Sequence, residues 1–416
     1  MPSRQRSLSV HDVRQIVGDR CFTPSLDGRV GVEVEWLSVL LERPGEPVPA
    51  GLLPRPEEQR SPAGSRLTLE PGGQVELSSP ALQGIGPTCA ALASDAGALS
   101  AELAGAGVGL VGVGFDPRPQ PERCVRHPRY DAMEAYFDAQ CGAGRSMMRS
   151  TAAVQVNIAL GADASVAETR WHRAHDLGPT LAATFANSPL AEGGPSGWRS
   201  RRLAVWGDVD ACRTASADGG GNGQFSYANY VLDARVMLIR RDEQDFRPVL
   251  EPLTFAEWVA DGHELGYPTA DDLEYHLTTL FPPVRPRGWL ELRMVDSLPD
   301  PWWRAAVAVA TTLVVDDDAA QAAAPALAPT RGLWREAARH GVTHPALGVS
   351  SAACLEIALD ALSRLGTDAT TISAVAAFHD RYTARGRCPA DDRLGEWSEH
   401  GALLPEPDRF AELTWV

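Results

Sequence analysis

Glutamates recur at alternate positions within short apolar runs. In Val30-Gly31-Val32-Glu33-Val34-Glu35-Trp36, Glu33 and Glu35 alternate with the valines and Trp36. In Arg66-Leu67-Thr68-Leu69-Glu70, Glu70 faces away from the leucines. Past Pro71-Gly72-Gly73, the run Gln74-Val75-Glu76-Leu77-Ser78 alternates in the same way. Val154-Gln155-Val156-Asn157-Ile158 and Leu290-Glu291-Leu292-Arg293-Met294 repeat the pattern, with two amides and with a Glu and an Arg. A period of two is that of a β-strand, whose side chains point alternately to its two faces. If these strands share one sheet, one face is core. The other gathers Glu33, Glu35, Glu70, Glu76 and Glu291 with Gln155, Asn157 and Arg293.

Two chemistries fit that face. A strand alternating apolar with charged residues is ordinarily half buried, with its charges in water. Each strand alone reads that way. The set reads differently, because like charges opposite each other repel and a solvated face mixes signs. Five glutamates beside one arginine are unfavourable without cations. Hard divalent cations with oxygen ligands remove that cost, and magnesium suits a carboxylate site that also holds nucleotide phosphates. On pattern alone, a solvated face and a metal–phosphate site both stand.

The surrounding pattern says what positions these residues. A helix is expected over 8–20, a strand over 29–41 and a proline-punctuated loop over 42–65. A hairpin follows over 66–78, then a helix over 88–106 and a strand over 108–115. Helices near 129–140 and 165–187 flank a strand over 154–160. Residues 188–225 read as loop-rich, with a glycine cluster at 219–223. Further helices are expected near 226–239, 254–261 and 270–280, a strand over 289–295, and largely helix beyond 301. The tight Pro-Gly-Gly turn requires an antiparallel pair. The fold class is therefore α+β, a mostly antiparallel sheet with helices packed on one side, in one large domain or two to three smaller ones.

Composition excludes several classes. The chain has 416 residues, 44% of them hydrophobic, and a net charge of −16. An acidic chain lacks the basic footprint of a nucleic-acid binder. The N-terminus has no apolar signal-peptide core, and with no run of 18 apolar residues no membrane span is expected. Seven scattered cysteines without a CxxC pair fit a reduced, cytoplasmic chain. All 38 basic residues are Arg. A P-loop, a protein kinase and a Schiff-base enzyme each need a lysine, so all three are excluded. Phosphates would have to be held by Arg, backbone N–H groups and metal ions.

Leu69-Glu70-Pro71-Gly72-Gly73-Gln74-Val75-Glu76-Leu77-Ser78 resembles the LEPGGQxELS segment of plant-type glutamate–cysteine ligases. In the same order, Met147-Met148-Arg149-Ser150-Thr151 runs into Gln155-Val156-Asn157. Then come Phe185-Ala186-Asn187-Ser188-Pro189 with Glu192, Gly193 and Pro195, and Arg202 followed by Trp206, Asp208, Asp210, Arg213 and Thr214. Gly31-Val32-Glu33-Val34-Glu35 resembles that family's GxExE strand and Glu291-Leu292-Arg293 its ELR strand. The resemblance covers roughly 25–315, the helical part over 316–416 being less diagnostic, and it implies a single catalytic domain over 1–416 with its core in 25–315. It extends to the ergothioneine-pathway branch of related bacterial enzymes.

The resemblance implies a glutamine synthetase-like fold whose curved sheet binds metals, ATP and substrate on a concave polar face. It implies ATP-dependent joining of the γ-carboxylate of L-glutamate to the amine of L-cysteine through a γ-glutamyl phosphate, releasing ADP and phosphate. Mg2+ or Mn2+ would be held by Glu33, Glu35, Glu70, Glu76 and Glu291. Some homologous enzymes have His where this chain has Gln155, whose amide oxygen still suits magnesium. Arg293 and Glu291 would act on the transferring phosphoryl group, and Arg293 and Asn157 on ATP. Arg202, Asn157, Arg149 and Trp206 would bind substrate, Arg202 at the α-carboxylate, with Asn187 and Asp208 in support. The protein would be a monomer or weak dimer. A ligase using another amine or acid, and a metal-binding regulator without activity, are the alternatives. Trp171, His172 and His175 read as a helix surface or core, Gly219 to Gly223 as a lid rather than a nucleotide loop, and Asp316 to Asp318 as a solvated helix end.

Overall fold

A computed structural model describes residues 7–25, 28–57, 61–140 and 142–408. Its centre is an eight-stranded sheet in which every pairing is antiparallel. The strands are β1 (Arg29–Leu40), β2 (Arg66–Leu69), β3 (Val75–Ser78), β4 (Leu82–Gln83), β5 (Val108–Val111), β6 (Ala153–Ala159), β7 (Val284–Pro286) and β8 (Trp289–Asp296). The main path runs β7-β8-β6-β1-β3-β2, with β4 and β5 also paired to the long β1.

The β-branched and aromatic residues of the alternating runs suit a pleated surface with one buried face. Val32, Val34, Trp36, Val75, Leu77, Val154, Val156, Leu290 and Leu292 are all buried. Each such side chain contributes about 1.5–3 kcal/mol by leaving water. Helices Ile85–Gly105, Ala164–Thr184 and Trp302–Val315 cover that face. The β2–β3 turn closes through Gly73 N–H to Glu70 O and Glu70 N–H to Gln74 O, both 2.9 Å. Gly73 has φ of 88°, open to glycine at no steric cost. A Cβ on Gly72 would stand 2.1 Å from the carbonyl oxygen of Arg149, so the turn packs directly on helix Ala143–Ser150.

Several sequence expectations shift. Residues 188–225 hold two short helices, Arg201–Asp208 and Ala211–Thr214, started by the side chains of Ser200 and Asp210. Eight and four residues among glycines and prolines leave little periodicity to read. The helix expected at 226–239 is Gly223–Asp233, and Leu238–Arg240 is a strand. The strand at 108 ends at Val111, and helix Ala143–Ser150 was not anticipated. Nor do the helices keep to one side. Pro128–Gln140, Ala143–Ser150 and Ala270–Leu277 contribute residues to the rim of the polar face.

Beyond 301 the chain is largely helical, and its apolar residues join the same core as the sheet. Helix Pro345–Arg364 is long and apolar enough on average to cross a membrane. Here it packs on Ala164–Thr184, with Ser350 Oγ 2.9 Å from Thr180 and Ser351 Oγ 2.7 Å from Thr184. Its buried face, with Leu347, Cys354, Leu355, Ala358, Ala361 and Leu362, joins the core. The last described residues lie along β5. Asp408 N–H donates to Leu110 O at 2.8 Å, and Leu404 packs on Leu37, Val39, Val111, Val113 and Ala152.

Candidate active site

A cavity of about 640 Å³ opens over the polar face of the sheet. Glu33, Glu35, Glu70, Glu76, Gln155 and Arg293 line it, together with Gln74, Arg202 and Trp206. Register brings them together. Glu35 stands opposite Glu76 across β1–β3, and Glu33 opposite Gln155 across β1–β6. The amides tie the carboxylates diagonally. Gln155 Nε2 donates to Glu35 Oε1 at 3.0 Å, and Asn157 Nδ2 to Glu33 Oε1 at 2.9 Å. Ala153 N–H donates to Glu35 Oε2 at 2.9 Å, and Thr68 Oγ1 to Glu76 Oε1 at 2.5 Å.

Burial and mutual repulsion raise the carboxyls of Glu33, Glu35 and Glu70. Burial, then the charges of Glu291 and Glu76, raises Glu33 from 4.5 to about 7. Burial and Glu76 raise Glu35 to about 7 as well. Glu70 is pushed well above the usual carboxylate range by burial, Glu76 and Glu35. Two effects act together here, desolvation of the charged form and like charges at short range.

Glu291 behaves differently. It is fully buried and held by three arginines. Arg285 reaches it with Nε and Nη2 at 2.6 and 2.9 Å, Arg287 Nη1 at 3.1 Å and Arg293 Nη1 at 2.9 Å. Burial raises its carboxyl, but Arg285 and Arg293 outweigh that and hold it far below the ordinary range. The picture of five glutamates beside a single arginine is therefore corrected. Arg285 and Arg287 project from β7 and its turn, and Glu291 is neutralised by guanidinium groups while the other four crowd together. Glu291 is absent from the cavity lining, so a ligand role for it requires release from its arginines.

Arg293 sits at a β-bulge. Leu292 pairs with Val156, but the ladder resumes only at Val295 with Val154. A bulge bends its strand and re-aims a side chain. Arg293 Nη1 spans Gln155 Oε1 and Glu291 Oε2, and the guanidinium carbon lies 5.8 Å from the Trp206 ring and 5.9 Å from the Phe281 ring. Its Nε and Nη2 have no hydrogen-bond partner among the described residues.

The remaining expected residues divide. Arg202 is not on a surface loop. It is 3% exposed at the start of helix Arg201–Asp208, donates from Nη2 to Arg293 O at 2.7 Å, and leaves Nε and Nη1 without a hydrogen bond. Trp206 lines the cavity one turn on, with its buried Nε1 unpaired. Asn157 stands behind Glu33, its Oδ1 accepting from Trp289 Nε1 at 3.0 Å. Arg149 does not reach the cavity. It is paired with Glu134 at 2.6 Å and lines a separate hollow beside the Pro-Gly-Gly turn. Asp208 is exposed, and Asn187 braces backbone at Gly112 and Ser297. Asp210 and Arg213 form a buried brace with Tyr136. Trp171 and His175 are core, and Asp316 caps a helix. The glycine cluster is no lid over this cavity. Its last residue, Gly223, starts a helix, and its N–H donates to Glu168 at 2.8 Å.

Residues outside the expected site set also line the cavity. Gln74 bridges the turn, accepting from Gly72 N–H at 2.9 Å and donating to Thr151 O at 2.8 Å. Arg66, Arg129, Arg285 and Arg287 make the rim basic. Gln74 shares the period of Glu76 and Arg66 that of Glu70, so both were legible, whereas Arg285 and Arg287 flank Pro286 on a three-residue strand and its turn.

The donor set fits a hard divalent cation, since repulsion among Glu33, Glu35, Glu70 and Glu76 is what such an ion relieves. Among the described residues no three His, Cys, Asp or Glu side chains are grouped so as to hold a metal ion as they stand.

The family model described as Glutamate-cysteine ligase family 2 (GCS2) matches residues 29–404. The glutamate–cysteine ligase EgtA of Mycolicibacterium smegmatis is 43% identical over 390 residues, covering 89% of this chain and 90% of that one. The protein of the same name from Mycobacterium tuberculosis is 41% identical over 394 residues, covering 91% and 88%. A glutamate–cysteine ligase from Francisella tularensis, solved in complex with AMP, superposes with a TM-score of 0.55 at 12% identity, over 91% of this chain and 86% of that one. The fold is shared with that enzyme.

Proposed function

Because the chain belongs to glutamate–cysteine ligase family 2, we propose that it joins the γ-carboxylate of L-glutamate to the amine of L-cysteine at the expense of ATP. The observation that carries this reading is the cavity itself. Four mutually repelling glutamates and a bulge-mounted arginine face one space of about 640 Å³.

In the first step a γ-carboxylate oxygen of glutamate forms a bond to the γ-phosphorus of ATP while the bond to the bridging oxygen breaks. ADP leaves, and γ-glutamyl phosphate remains. In the second step the cysteine amine attacks the acyl carbon, inorganic phosphate leaves, and the nitrogen loses a proton. The acyl phosphate hydrolyses if water reaches it, so a walled cavity is required. Arg293 suits the transferring group, because its unpaired Nε and Nη2 form a fork that matches phosphoryl oxygens. Arg202 and Trp206 retain buried unpaired donors for a substrate carboxylate. Arg285 and Arg287 can pass from Glu291 to phosphate oxygens. Glu33, Glu35, Glu70 and Glu76, with Gln155 and a released Glu291, would hold Mg2+ or Mn2+. Bound metal would screen the triphosphate from the attacking carboxylate.

We place the protein in the cytoplasm on its dispersed free cysteines. We infer that its product serves ergothioneine biosynthesis, a reading supported by the similarity to ligases named EgtA. The test is ATP turnover with glutamate and a panel of amines, with product masses recorded. Dipeptide of mass γ-glutamylcysteine with one ADP per bond supports the reading. Turnover with another amine alone replaces cysteine as acceptor, and no ADP release with any amine removes the ligase reading.

A further inference from the structure

The segment from Phe185 to Ser200 carries motif residues that do not line the cavity, and Arg202, which does, follows it. Three of its groups converge on one carboxylate. Asn187 N–H and Ser188 Oγ donate to Asp296 Oδ2 at 2.8 and 2.7 Å, and Ser200 Oγ donates to Oδ1 at 2.8 Å. Arg202 Nη1 stands 3.8 Å from the same Oδ1. Asp296 is fully buried, and a Cβ on Gly114 would come within 2.5 Å of its carboxyl carbon, so backbone seals it from above.

The hydroxyl protons have fixed directions. Ser188 Oγ accepts from Arg202 N–H at 3.2 Å, and Ser200 Oγ from Leu203 N–H at 3.1 Å. Each serine therefore takes a bond from the first turn of helix Arg201–Asp208 and passes its own proton to Asp296. The helix N-terminus is thus wired through two hydroxyls to a carboxylate at the end of β8. The same helix returns to β8 at the bulge, where Arg202 Nη2 donates to Arg293 O and Trp206 flanks the Arg293 guanidinium.

We propose that Asp296 is a positioning residue for Arg293. By tying the helix start to its own strand, it sets Arg202 and Trp206 so that the bulge holds the guanidinium between Gln155 and Glu291. The kinetic part of this proposal rests on the ligase reading above. An acceptor-only group is needed because every partner around it is a donor. Asp296→Asn turns an amide donor on one of them, and Ser200→Ala removes one wire while leaving the carboxylate.

The experiment is a double-variant cycle read by ADP release, joined to crystal structures of the variants. Ser200→Ala and Asp296→Asn should each lower kcat on the order of tenfold or more, as a displacement of about 1 Å at a reacting group does. KM for ATP should stay within roughly threefold. Placed on Arg293→Ala, neither should lower kcat further. Losses that multiply on that background, or a fall in melting temperature alone, would overturn the proposal. In the crystal structure of Ser200→Ala, Arg293 should leave its place between Gln155 and Glu291, and an unmoved guanidinium also overturns it. If Asp296→Asn does not fold, Ser200→Ala carries both arms. If the wild-type protein releases no ADP with glutamate and cysteine, the ligase reading fails while the crystallographic arm still decides the positioning.

Discussion

Glu33→Gln offers a test in which stability and activity move in opposite directions. In the folded protein without metal, the Glu33 carboxyl is raised from 4.5 to about 7 by burial and by Glu291 and Glu76. A folded pKa above the unfolded one means that the unfolded chain gives up its proton first. The stability linked to this group is complete below about pH 4.5 and is lost as pH rises through 7. A difference of two and a half units corresponds to about 3 kcal/mol at most. Because Glu33 shares its repulsion with its neighbours, about 1–3 kcal/mol is expected for removing this one charge. Gln keeps the oxygen that accepts from Asn157 and mimics the protonated acid. Metal-free Glu33→Gln should therefore match wild type at pH 4 and exceed it at pH 8. At roughly 2.1 cal/mol/K of unfolding entropy per residue, a chain of this size gains only about 1 °C per kcal/mol, so the melting temperature should rise about 1–3 °C. Calorimetry in EDTA at the two pH values measures it. With magnesium at saturation the same variant should lose on the order of a hundredfold in kcat. An equal shift at both pH values, or destabilisation at pH 8, would refute the assignment of Glu33 to a repelling acidic cluster.

Arg293→Lys should fail to restore kcat lost in Arg293→Ala, by on the order of a hundredfold, because a point charge cannot span two phosphoryl oxygens. Steady-state kinetics decide this, and a Lys variant with most of the wild-type kcat would make Arg293 an ion-pair partner only. Excess EDTA should abolish turnover and Mg2+ or Mn2+ restore it, with ADP as the nucleotide product; AMP would indicate adenylation instead. Metal affinity measured by titration calorimetry should strengthen as pH rises through about 7, where Glu33 and Glu35 ionise. A pH-independent affinity would exclude them as ligands. Arg213→Ala should cost about 3–5 kcal/mol, since it strands Asp210 in a buried network, yet leave KM values near wild type in denaturant-free assays.

The polar face of the sheet was legible because strand period is local. Glu33, Glu35, Glu70, Glu76, Gln155 and Arg293 alternate with residues that must be buried, and a strand has only two faces. Arg285 escaped because β7 is a three-residue strand ending in Pro286, too short to show a period. Its meaning came from register, which sets it opposite Glu291. The bulge at Arg293 is equally silent in the sequence, since Glu291-Leu292-Arg293 reads as regular strand. Arg202 was placed in a loop because its helix has eight residues, and the serines that start it contribute through hydrogen bonds rather than periodicity. Arg149 illustrates the opposite error. A motif marked it, but Glu134 from the preceding helix claims its charge.

The run Leu404 to Asp408 has a consequence for the sheet as a surface. β5 pairs with β1, and its outer carbonyls would otherwise form an open template for another chain. Asp408 covers one of them with its N–H, and the ring of Pro407 lies so close to Gly109 that a Cβ there would meet it at 2.7 Å. Proline has no N–H to offer a foreign strand, so the cap cannot itself be extended by augmentation. Cutting the chain at Gly401 would uncover this edge together with the apolar patch under Leu404. The damage would appear as self-association long before it reached the acidic cavity on the sheet's polar face.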